Sequence, residues 1–151
     1  MERSGNWGAH AVVVAAHGGS GASTLARALH LPEVRGANDA QVVVVAARTT
    51  AEAADRVIRT IAALAPDQHV VLALTEDAPL PQPSAVAAMR RLLADRVAAV
   101  VVLPWQPRWR HERPTVATAH RRWTARAVDL AGVVADLTAT DHVPEPQGAL
   151  A

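Results

Sequence analysis

Val12-Val13-Val14-Ala15-Ala16-His17-Gly18-Gly19-Ser20-Gly21-Ala22-Ser23-Thr24-Leu25-Ala26 holds a strand, a turn and the start of a helix in one run. The aliphatic lead is β-branched and continuous, as in a strand buried on both faces. The glycines let peptide amides converge on an anion, and the helix N-terminus that follows adds partial positive charge. A phosphate would sit there. The plain alternative is a tight strand-to-helix turn that binds nothing, and the order of strand, glycines and hydroxyls favours the phosphate cradle.

Outward from this loop the same alternation repeats. Four apolar runs are predicted strands: Ala11 to Ala16, Gln41 to Ala47, His69 to Leu74 and Ala98 to Leu103. Helical patterns separate them. The first helix starts in the glycine loop and runs through Leu25, Ala28 and Leu29. The second is expected to have Thr49 as N-cap with Glu52 three residues on, an apolar stripe of Val57, Ile58, Ile61 and Leu64, and Pro66 as its stop. A third begins at Ser84 and is expected to bury Val86, Met89, Leu92 and Leu93. The last starts near Pro114 and repeats apolar residues at Val116, Ala119, Trp123, Ala127, Leu130, Val134 and Leu137, an amphipathic spacing. The expected fold is α/β: a small three-layer sheet of mainly parallel strands flanked by helices. The loops after the strands then share one edge, where ligands of such sheets bind. One domain is expected over residues 10–138, with tails at 1–9 and 139–151.

Composition narrows the classes. With 151 residues, half of them apolar, the chain suits one core. The absence of cysteine excludes a disulfide framework and thiolate metal sites and fits a cytoplasmic location. Met1 to His10 does not read as a signal peptide, and no apolar run approaches the roughly 18 residues of a membrane span. A formal charge of +1 gives no global case for nucleic acid. Lys, Phe and Tyr are absent too, a bias that reads as codon usage in a GC-rich genome.

The glycine loop resembles the deviant P-loop of the ParA/MinD ATPases, Lys-Gly-Gly-x-Gly-Lys-[Ser/Thr]-Thr. Gly18, Gly19, Gly21, Ser23 and Thr24 match; His17 and Ala22 stand where the two lysines would be. The second lysine reaches the β- and γ-phosphates, and alanine cannot offset the charge that develops in phosphoryl transfer. The Gly-Ala-Ser-Thr form is similar to the pilus-assembly relatives of that family, the CpaE/TadZ proteins, which lack the same lysine. The resemblance implies a reduced, P-loop NTPase-like fold with a nucleotide cradle of His17, Gly18, Gly19, Ser20, Gly21, Ala22, Ser23 and Thr24 for ATP or ADP, with Ser23 on magnesium where Mg-nucleotide binds. Val42 to Thr50, His69 to Asp77 and Ala99 to Pro104 look like three later pieces of the same family. Only ten residues, Leu31 to Ala40, stand where the switch strands and the magnesium-directing aspartate belong, and Asp39 precedes a strand instead of ending one. The expectation is a pseudo-ATPase, with an active ATPase using His17 as the alternative.

A second segment, Pro104-Trp105-Gln106-Pro107-Arg108-Trp109-Arg110-His111-Glu112-Arg113-Pro114, falls on the predicted ligand edge. From Trp105 to Arg126 there are six arginines and one acid. Trp105, Arg108, Trp109, Arg110 and Arg113 form the candidate partner-binding surface. Residues 105–126 are also a candidate nucleic-acid surface, and the plain reading has tryptophans capping the core with arginines at its rim. Arg121, Arg122 and Arg126 lie away from the apolar stripe of the last helix. The glycine loop, Asp77 to Pro81 and the Pro104-Trp105…Trp109-Arg110 run together resemble a family of actinobacterial proteins, of no assigned activity, found among mobile-element and conjugative-transfer genes.

No Gly-x-Ser-x-Gly elbow accompanies His17-Gly18-Gly19, so an esterase is excluded. The seven histidines lack metal-ligand spacing, and Glu76 and Asp77 read as turn residues. The leading expectation is a non-hydrolysing, P-loop-like accessory or scaffold factor of a DNA-transfer, secretion or partition-type assembly. Its partner is expected to be another protein or a second copy of the chain.

Overall fold

The computed structural model describes residues 10–110, 113–115 and 118–140. The elements are β1 (Ala11–Ala15), α1 (Ala22–Leu29), β2 (Glu33–Val34), β3 (Val42–Arg48), α2 (Ala51–Ala62), β4 (His69–Thr75), α3 (Ser84–Leu92), β5 (Val97–Leu103), a 3₁₀ turn (Pro107–Arg110) and α4 (Arg121–Thr140). The strands form one five-stranded parallel sheet in the order β2-β1-β3-β4-β5.

Strict alternation along the strands builds two cores. Val43, Val45 and Ala47 of β3 face Val57 and Ile61 of α2 and Val86 and Met89 of α3. Val42, Val44 and Ala46 face the other way, into a cluster with Leu25 of α1 and Trp123 and Leu130 of α4. Every residue from Val42 to Ala47 and from Val70 to Leu74 is 0% exposed, the pattern of strands covered on both sides. From β1 the chain steps outward to β2, then crosses back to β3 and continues to β5. Right-handed crossovers therefore put α1 on one face and α2 and α3 on the other. The chain reverses direction at β1, and the glycine loop leaves the sheet there.

Several expectations need correcting. A fifth strand exists: the two residues Glu33 and Val34 pair with Val13 and Val14 of β1. So short a strand leaves no periodicity to read. The N-cap of α2 is Thr50, whose hydroxyl accepts from the Ala53 amide at 3.1 Å. Thr49 is buried and accepts from the Asp77 amide, while Glu52 lies near Arg56, so no capping box forms. Leu92 is 67% exposed because it falls on the outer side of α3, whereas Val86, Met89 and Leu93 are buried as expected. The last helix starts at Arg121, not near Pro114, and continues to Thr140, past the expected boundary at 138. Ahead of it the Thr115 amide donates to Thr118 Oγ1 and the Thr118 amide to Thr115 Oγ1. Val116 and residues 1–9 and 141–151 lie outside the described residues.

Trp123 fills the second core at 1% exposure and meets Trp109 edge-on, with ring centroids 5.4 Å apart. Trp123→Ala is expected to cost about 3–5 kcal/mol in denaturant unfolding, against less than about 0.5 kcal/mol for Leu92→Ala. Equal losses at the two positions would contradict this packing.

Candidate functional site

Two glycines set the loop. Gly19 and Gly21 have φ of 75° and 86°, left-handed values that L side chains rarely adopt. Gly21 is the N-cap of α1 and offers no side chain to it. Ser20, 2% exposed, turns its hydroxyl inward to accept from the Ala22 amide at 3.3 Å. The amides of Ser23 and Thr24, next in the first turn, have no acceptor among the described residues. A helix start with open amides attracts anions.

The His17 ring is a clasp. Nδ1 donates to the Gly18 carbonyl at 2.8 Å, and Nε2 accepts from the Arg48 amide at 3.0 Å. That pattern is the uncharged tautomer protonated on Nδ1. Arg48, the last residue of β3, returns the tie through its Nε, which donates to the Gly19 carbonyl at 2.8 Å. The loop after β1 is thus fastened to the end of β3.

The loop forms one wall of a cleft of about 540 Å³, and residues 33–36 form another. His17 to Thr24 all line it, so the expected cradle is brought together. Ala22, however, is 3% exposed and belongs to the same buried cluster as Leu25 and Trp123. Sequence reading missed Glu33 and Arg35, which the short β2 carries to the cleft. Ser23 Oγ donates to Glu33 Oε2 at 2.7 Å. A carboxylate therefore does stand beside the loop, although Asp39 is not it. The pairing of β2 with β1 was the missing signal.

A second cleft of about 620 Å³ opens at the ends of β3, β4 and β5, lined by Arg48, Asp77 to Pro79, Trp105, Gln106 and Trp109. Arg48 separates it from the glycine loop. Trp109 is largely a packing residue: it sits against the second core and its Nε1 donates to Thr118 Oγ1 at 3.0 Å. Trp105 is half-buried and Arg113 exposed. Arg121, Arg122 and Arg126 are exposed on α4, with Arg126 paired to Asp129 at 3.3 Å. No group of three or more potential metal-binding side chains occurs among the described residues, and none of their helices is long and apolar enough to cross a membrane.

No family model and no curated protein matches the chain. Among solved structures it is similar to a flavodoxin of Streptococcus pneumoniae TIGR4, at 13% identity and a TM-score of 0.51 over 84% of this chain and 97% of that one. The likeness shows the fold, a flavodoxin-like α/β domain with the strand order described above.

His17→Ala removes both ring hydrogen bonds. It is expected to lower stability by about 1–2 kcal/mol and to speed hydrogen exchange at the Arg48 amide. Unchanged exchange at Arg48 would show that the ring does not hold the two loops together.

Proposed function

We propose that the chain is a non-hydrolysing, P-loop-like accessory protein that binds a phosphorylated ligand, an adenine nucleotide with magnesium fitting best, in the cleft after β1. One observation carries this reading: a glycine loop with open helix amides lies where the sheet reverses direction, the place where open α/β sheets hold ligands. Arg35 lines the same cleft and supplies a cation for a bound phosphate.

The loop is suited to binding more than to bond cleavage. Ala22 is buried in the core where the resemblance would put the catalytic lysine. His17 uses Nε2 to accept from a backbone amide, and the guanidinium of Arg48 is engaged by the Gly19 carbonyl. Ser23 Oγ and Glu33 Oε2 are 2.7 Å apart. Two oxygens at right angles on an ion with magnesium's usual bond lengths are separated by about 2.9 Å. This pair would hold the metal, with ligand phosphate and water completing its shell. A nucleotide's base would extend past Arg48 into the second cleft, over Trp105.

The resemblance supplies the setting, an assembly for DNA transfer, secretion or partition. A protein partner suits the Trp105 to Arg113 surface better than nucleic acid does. Trp109 is packed against the core and edge-on to Trp123, so the segment lacks a row of open aromatic faces on which successive bases stack.

Calorimetric titration is expected to show binding of Mg-ATP and Mg-ADP, with phosphate release no faster than without protein. Ser23→Asp places a negative charge in the cradle and should weaken both by about tenfold or more. Glu33→Gln should chiefly reduce the dependence on magnesium. ATP turnover that Glu33→Gln abolishes would make the protein an ATPase, and no binding of either nucleotide would remove the reading.

A further inference from the structure

β5 has the sequence of an interior strand and the position of an edge. Val97-Ala98-Ala99-Val100-Val101-Val102-Leu103 contains no charged or polar side chain and no proline. In β3 and β4 equally apolar stretches are 0% exposed because strands flank them on both sides. β5 pairs with β4 alone. Its Ala98 is exposed, and Val97, Ala99, Val100 and Val102 are only half-buried. The Val97 amide donates to the Leu93 carbonyl at 3.0 Å, and from Ala98 to Leu103 no described residue bonds to the outer peptide groups. Soluble proteins usually blunt such an edge with lysine, proline or a covering segment. The one irregularity here, at the start of the β4–β5 ladder, leaves Ala99 to Leu103 in regular register.

We infer that β5 is a homotypic docking edge, on which a second copy of this chain pairs its own β5 antiparallel about a two-fold axis near Val101. The occupant follows from the two edges of the sheet. The opposite edge, β2, is two residues long and carries Glu33. A head-to-tail ladder of β5 on β2 would therefore be brief and would leave most of β5 open. Pairing β5 with β5 uses the whole regular stretch and closes on itself, which gives a dimer and not a fibre. Around that axis Ala99 meets Leu103, and Val100 meets Val102 of the other copy on the same face. These are apolar cross-strand pairs with no like charges opposed. The proposal does not rest on nucleotide binding: it uses only the outer edge of β5, whereas the glycine loop follows β1.

Sedimentation velocity across a dilution series is the test, with hydrogen exchange measured on the same samples. The wild-type chain is expected to show twice the monomer mass at the upper end. Alternate β5 amides should lose protection on dilution. Val100→Lys should remain monomeric throughout, and Val100→Thr, which keeps the β-branched shape, should shift the equilibrium only modestly. If Val100→Lys does not fold, the concentration dependence of β5 protection in the wild type still decides. A monomer at every concentration overturns the proposal, as does a dimer untouched by Val100→Lys, or β5 protection that does not change on dilution.

Discussion

An all-aliphatic parallel sheet must be covered on both faces, and the rest of this molecule follows from that requirement. β3 and β4 offer no polar side to water, so helices have to lie above and below them. With crossovers of one hand, both faces are reached only if the chain changes direction somewhere. It does so at β1, flanked by β2 on one side and β3 on the other. The loops after β1 and β3 then lead to helices on opposite faces, and the space between them cannot be filled by either helix. A cleft at that point is a consequence of burying valine and needs no separate explanation.

What occupies the cleft's walls is finer chemistry. Gly19 and Gly21 are required by left-handed backbone, and they also keep side chains away from the open amides of α1. The His17 clasp serves rigidity. One ring donates to its own loop and accepts from the amide at the end of β3, so the position of the cradle is coupled to the sheet and not to solvent. Arg48 reinforces the same link from the opposite side. An anion arriving there meets amides already in place, and less ordering entropy opposes its binding.

Local signals made most of the fold legible. Continuous valine located β1, β3, β4 and β5 to within a residue or two, and the 3.6-residue stripes located the helices that cover them. Misses occurred where a tertiary contact outweighed a local one. Thr49 and Thr50 are equivalent as candidate caps in sequence, and the choice was made by the Asp77 amide, which takes the Thr49 hydroxyl. The stripe before Trp123 continues the helical spacing, yet Ala119 packs on the core from ahead of α4. The glycine loop was readable residue by residue. Its opposite wall was not, because Glu33 and Arg35 reach the cleft only through a two-residue strand that no periodicity announces.

Ala22 is buried at the position where the ATPases that the loop resembles carry a lysine, and that difference bears on what such a loop could do. Contacts that hold an anion equally well in its ground state and its transition state favour binding without favouring reaction. Phosphoryl transfer needs charge that grows more favourable as the leaving oxygen departs, and a mobile ammonium at that oxygen is the usual source. Here Ala22 is 3% exposed and belongs to the same buried cluster as Leu25, so a lysine stem at this position would need its neighbours to give way. Alanine therefore suits the packing of α1 at this position. If the loop binds as proposed, its occupancy would follow the concentration of the phosphorylated ligand and would not be reset by hydrolysis.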